Sequence, residues 1–276
     1  VRTTALRLRP RSALALTLVS LVGAAAFVWP LFAHPHGSEN NAHAGDAPWL
    51  FVVLLPLILA VLFAELSEGA LDAKAVAMLG VLSAFGAGLR LPGGGAGVEL
   101  VFFLIVLGGY ALGRGFGFVL GCTTLFASAL LTAGVGPWLP FQMLGAGWVG
   151  LFAGFLPHPK HAWGELGVLC AYGIVSALAY GFVLNLWFWP FGISASSSLA
   201  FVPDASLATN LRHFWAFHVS SSLGFDTIRA VSNVTLILAV GHPVLAALRR
   251  AARRAAFGAV PEFGQQPGGR NLITEV

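Results

Sequence analysis

One apolar run follows another along this chain, with short polar breaks between them. The runs are continuous rather than alternating, which calls for helices and not for the strands of a barrel. Hydrophobic residues make up 57% of the chain, charged residues make up 9%, and mean hydropathy is +0.83. A soluble domain of 276 residues has no means of burying so much apolar surface, so the chain reads as a polytopic membrane protein. Within lipid every backbone polar group must be paired internally, which helices achieve one segment at a time.

The hydropathy pattern predicts an all-α bundle of eight spans, at 12–32, 49–64, 74–90, 98–112, 115–133, 139–157, 163–188 and 226–248. The first follows Arg2, Arg7, Arg9 and Arg11 and looks like a signal sequence. No small-x-small cleavage site follows it, so a retained anchor is expected. With the N-terminus inside, the inner segments hold those four arginines together with Lys74, Arg114, Lys160, Arg249, Arg250, Arg253, Arg254 and Arg270. Arg90 and Arg212 fall outside, and Arg229 lies near the start of the last span. This asymmetry predicts that both termini are cytoplasmic. The net charge of +4 follows from topology and gives no reason to expect a nucleic-acid partner.

Small residues recur every four positions in several spans: Gly80, Ala84 and Gly88; Gly117 and Gly121; Ala146, Gly150 and Gly154; Gly173, Ala177 and Gly181. Such ridges allow close helix packing in lipid, within the bundle or against another membrane subunit. Cys122 and Cys170 lie inside apolar runs and read as packed, reduced thiols. The stretch 189–225 reads as a long outer connection with a serine run and an aromatic patch, His213-Phe-Trp-Ala-Phe-His218. The tail from about 258 is polar and reads as unstructured.

The most informative passage is Gly134-Val-Gly-Pro-Trp138 running into an apolar span that carries one amide, Gln142. Trp138 either covers a ligand or anchors the interface, and Gln142 either binds that ligand or bonds a neighbouring helix. Asn185, Trp187 and Trp189 close the seventh span at the same outer mouth, as ligand contacts or as an aromatic belt. Asp226, Arg229 and Asn233 begin the last span. The first two are spaced to pair, and ionisable groups inside a membrane mark functional sites by default. Glu99 and Arg90 flank a short outer loop and form either a lid latch or a plain interfacial salt bridge. His34, His36 and His43, with Glu39 and Asp46, form a competing divalent-metal site.

Four passages carry a resemblance: Asp72-Ala-Lys-Ala-Val-Ala-Met-Leu-Gly80 onward to Arg90; Val98-Glu-Leu-Val-Phe-Phe103; Gly115-Phe-Gly-Phe-Val-Leu-Gly121 leading to Gly136-Pro-Trp-Leu-Pro-Phe-Gln142; and Asn185-Leu-Trp-Phe-Trp-Pro190. In these the chain resembles the substrate-binding S components of energy-coupling factor (ECF) transporters, the vitamin importers of prokaryotes. The resemblance implies a six-helix membrane core at 73–250, which leaves 1–72 as a two-helix extension and 251–276 as a basic cytoplasmic tail. It implies capture of a vitamin-like molecule from outside, with no cofactor, by a multi-pass protein of the prokaryotic inner membrane. The S component then docks on a membrane T subunit coupled to two ATPase subunits, and is thought to topple to release its ligand.

Docking in that family uses small residues on the first core helix, here Ala73, Ala77, Gly80 and Ala84. No Walker motif is present, so ATP hydrolysis falls to another chain. Neither G-x-S-x-G nor H-E-x-x-H occurs, and the spans carry no paired acid clusters, so the chain does not read as an enzyme. The outer mouth is broad, aromatic and poor in charge, which favours a large, partly apolar ligand. A cobalamin-like corrinoid is the leading substrate, ahead of other B vitamins and queuosine-type precursors. The remaining alternatives are a cobalt or nickel importer subunit and a membrane enzyme or structural subunit.

Overall fold

A computed structural model of the chain describes residues 10–28, 56, 73–91, 98–193, 197–202 and 205–255. Among them the protein is entirely helical. Six helices come first: α1 (Pro10–Val28), α2 (Ala73–Arg90), α3 (Val101–Leu112), α4 (Arg114–Leu131), α5 (Leu139–Ala153) and α6 (Ala162–Gly192). The chain then runs without a break from Leu207 to Ala255 as one rod, through α7 (Leu207–Phe217), α8 (Leu223–Leu236) and α9 (His242–Ala255). Single π turns, His218–Ser222 and Ile237–Gly241, join these three parts. Among the described residues four segments are long and apolar enough to cross a membrane: Ala73–Arg90, Arg114–Leu131, Ala162–Pro190 and Leu207–Arg254. Ala13–Val28, Val101–Leu112 and Leu139–Ala153 are shorter apolar helices. The expected span at 49–64 and the loop at 33–48 lie outside the described residues, apart from Pro56.

α3 is the centre of the bundle: eleven of its twelve residues are buried. It passes directly into α4 through Gly113, whose φ of 101° is open to glycine and strained for other residues. α4 and α5 then pack backbone to backbone. A Cβ on Gly117 would overlap the carbonyl of Gly150, and one on Gly121 would overlap that of Ala146. These ridges therefore serve packing inside the molecule. The α2 ridge differs: nothing lies within 4 Å of a Cβ built on Gly80 or Gly88, and Ala73, Ala77 and Ala84 are exposed.

α1 is part of the same core. Val19 and Phe27 are buried, Phe27 meets Phe141 edge-on at 5.0 Å, and the Trp148 indole N–H donates to Ser20 Oγ at 3.0 Å. Cys122 and Cys170 are both free thiols.

The expected connection at 189–225 is corrected by the structure. α6 extends to Gly192 and the rod begins at Leu207, so only 193–206 lies between the two helices. Ser206 starts the rod as an N-cap, its hydroxyl accepting from the backbone N–H of Thr209. Beyond the main core, α6 and α7 enclose a second, aromatic one built on Trp189, Phe214 and Phe217.

A buried ionic seam between the rod and the bundle

α6 meets the rod along a stripe at four-residue spacing: Gly173, Ala177, Gly181, Asn185 and Trp189. Small residues in the first three positions bring the helices close enough for polar side chains of the rod to reach the backbone of α6. The Asn233 amide donates to the Gly173 carbonyl at 3.1 Å, and Arg229 Nη1 donates to the Ala177 carbonyl at 3.2 Å. Asp226 packs on Gly181, where a Cβ would overlap its carboxylate. The Asn185 amide donates to His218 Nδ1 at 2.8 Å, and Trp189 meets Phe214 edge-on at 5.5 Å. An α-helix returns to the same face after about seven residues. His218 and Asp226 are eight apart, and the π turn between them takes up the extra residue.

Arg229 is the hub of the seam. Its Nη1 donates to Asp226 Oδ1 at 2.7 Å and its Nε donates to Glu99, which stands just before α3. Its guanidinium lies 5.1 Å from the Tyr180 ring centre and 5.6 Å from that of Phe102. Ser222 donates to the other oxygen of Asp226 at 3.1 Å. Asp226, Arg229 and Asn233 are buried, and Asn233 Oδ1 has no hydrogen-bond partner among the described residues. A charge buried in an apolar bundle is costly unless paired, and this one is paired on two sides.

Some expectations change on this geometry. Asp226, Arg229 and Asn233 sit in the middle of a continuous helix and not at its start. Glu99 pairs with Arg229 and not with Arg90, because the rod brings the guanidinium to it; Arg90 instead donates to Ser128 Oγ at 3.4 Å. Trp187 stacks on Phe141 at 4.7 Å, and the Trp189 N–H donates to the Leu199 carbonyl at 2.7 Å. These two indoles are 5% and 0% exposed, so both serve packing as placed. Trp138 is 44% exposed, and its N–H is held by the Gly134 carbonyl at 3.2 Å. Gln142, one turn further on, is half-buried. His34, His36 and His43 lie outside the described residues. Among the described residues no group of three or more His, Cys, Asp or Glu side chains is placed to hold a metal.

A second ion pair ties the rod to the opposite end of the bundle. Arg249 binds Glu165 through both its terminal nitrogens, one of them at 3.1 Å, and the Tyr110 hydroxyl donates to the same carboxylate at 2.9 Å. Arg229 and Arg249 are separated by about 30 Å of helix, close to the thickness of a bilayer's hydrocarbon layer. The sequence reading missed this cluster. Its signal was Glu165, a lone acid in the run 163–188. Tyr180 and Phe102 were also missed, because aromatic residues in apolar runs look like core.

The family model for the substrate-specific component of ECF transporters matches residues 74–241, more than half of the chain. The protein is thus a substrate-binding membrane component of a transporter, and it belongs to the ECF substrate-specific component family. Its members bind a small-molecule substrate, work with T and ATPase subunits, and are not enzymes. No curated protein and no solved structure shows a significant match to the chain.

Proposed function

We propose that the protein captures a vitamin or related micronutrient from outside the cell for ATP-driven import, and that the ligand binds at the Arg229 end of the bundle. The observation that carries this reading is the buried seam of Glu99, Asp226, Arg229 and Asn233, set in an otherwise apolar core. Ionisable groups at membrane depth are retained where they serve a site. The exposed indole of Trp138 and the amide of Gln142 stand at the same end of the bundle as Arg90 and Glu99 and complete the mouth. A cobalamin-like corrinoid is the leading substrate, since Trp138 gives this end an exposed aromatic surface and the charges of Glu99, Asp226 and Arg229 are paired with one another.

The exposed α2 face with Ala73, Ala77, Gly80 and Ala84 is the proposed docking surface for the T subunit. An apolar groove of about 450 Å³ runs along it, lined by Ala77, Val81 and Phe85 of α2 and by Val244, Ala247 and Ala251 of α9. The basic residues Lys74, Arg114, Arg249, Arg250, Arg253 and Arg254 gather at the opposite end from Arg90. That asymmetry supports an even number of spans, eight in this reading, with both termini in the cytoplasm of a prokaryotic cell. In this reading residues 73–250 form the substrate-binding core, preceded by the two-helix extension.

The test is a thermal-shift screen of the full chain in detergent against corrinoids, other vitamins and Ni²⁺ or Co²⁺. A bound ligand at a hundredfold excess over Kd stabilises by about 2.7 kcal/mol. A shift with a corrinoid supports the whole reading, and a shift with another vitamin keeps the site and changes the substrate. A shift with metal alone overturns both and moves the site to His34, His36 and His43.

A further inference from the structure

Away from the seam, a groove of about 600 Å³ runs between α1 and the α4–α5 pair. Ala13, Thr17 and Ala24 form one wall, Phe152 and Phe155 form the other, and Arg114 stands at one end. From Ala13 to Ala24 the wall measures about 17 Å along the helix, a little over half of a hydrocarbon core of about 30 Å. The groove is therefore about one leaflet long. Its hydroxyls are already used: Thr17 donates to the Ala13 carbonyl at 2.8 Å, and Ser20 accepts from the Trp148 indole at 3.0 Å. What remains for an occupant is an apolar trough.

Arg114 gives the trough its polarity. Unlike Arg229 and Arg249, it has no carboxylate within ion-pair distance among the described residues. Its guanidinium lies 5.1 Å from the Phe155 ring centre, and the side chain is exposed. Arg114 is also the first residue of α4, so its guanidinium stands at the end of the trough and not along it.

We propose that this groove binds an anionic phospholipid, with one acyl chain along the trough and the phosphate on Arg114. Charge favours an anionic headgroup over a zwitterionic one, since the guanidinium at the rim has no acidic partner among the described residues. The lipid seals α1 against the bundle along the stretch where the groove parts their side chains.

The test uses the full chain in detergent with phosphatidylglycerol or phosphatidylcholine of identical acyl chains, read by native mass spectrometry and by thermal shift. The wild type retains phosphatidylglycerol with about a fivefold preference. Arg114→Gln abolishes that preference and keeps the melting temperature of the lipid-free protein, because the side chain is exposed. Ala24→Trp, also at an exposed position, fills the trough and lowers retention of both lipids. Equal retention of the two lipids by the wild type overturns the proposal. So does a preference that survives Arg114→Gln, retention unchanged by Ala24→Trp, or a protein dimer in place of a lipid-bound monomer.

Discussion

Gly181 and Asp226 occupy each other's space: the carboxylate of the rod lies where a side chain on α6 would otherwise be. Gly181→Ala therefore displaces Asp226 from Arg229. The expected cost is about 1–3 kcal/mol, the range for overpacking a close helix contact. Thermal unfolding of the purified variant measures it, and a melting temperature equal to the wild type's would show that the seam yields freely.

Arg229→Gln leaves two carboxylates, Glu99 and Asp226, without their shared cation. Breaking a buried pair in this way costs about 3–5 kcal/mol. The double variant Arg229→Gln with Asp226→Asn removes one of the stranded charges and recovers part of the loss, which a double-mutant cycle reads directly. Additive losses would show that the two side chains act independently.

Gln142→Ala is expected to weaken ligand binding with little change in folding. A neutral hydrogen bond contributes about 0.5–1.5 kcal/mol, roughly a two- to tenfold change in Kd. Titration calorimetry with the ligand found by the screen decides the matter, and an unchanged Kd removes Gln142 from the site.

Ala77→Leu and Ala84→Leu place bulk on the exposed face of α2. Both are expected to bind ligand normally and to fail in uptake by the complete transporter, because a close-packed helix contact in a membrane depends on small residues. Normal uptake by both variants would put the docking surface elsewhere.

Ala133 follows the C-terminus of α4 with a φ of 51°, in the left-handed region. A residue with a Cβ is held there at a cost of about 1–2 kcal/mol. Ala133→Gly relieves it and is expected to raise stability by up to about 1 kcal/mol, measurable in the same unfolding assay.

Much of this architecture was legible in the sequence. Apolar runs located α2 and α4 to within two residues, because a helix in lipid has to be apolar for its whole length. The pairing of Asp226 with Arg229 followed from their i,i+3 spacing. The partner of Glu99 did not, because local sequence holds no trace of a contact made across 130 residues. The start of the rod was missed for another reason. Ser220, Ser221, Ser222 and Gly224 look like loop, yet two of these hydroxyls turn back onto helix carbonyls: Ser220 donates to Ala216 and Ser221 to Phe217. Asn210, Phe214 and Phe217 are the buried stripe of an amphipathic helix, a pattern hidden by the aromatic patch around it.

The rod also outlasts any membrane it crosses. Its 48 residues from Leu207 to Arg254 reach about 72 Å, more than twice a hydrocarbon layer of about 30 Å. Past Arg229 the stretch from Leu207 to Ser222 continues as a mast, braced by the end of α6 and cored by Trp189, Phe214 and Phe217. A mast fixed at its foot acts as a lever. A tilt of 10° about Arg229 would carry Leu207, about 33 Å away, through about 6 Å, so a small rotation at the ionic seam becomes a large displacement at the far end of the rod.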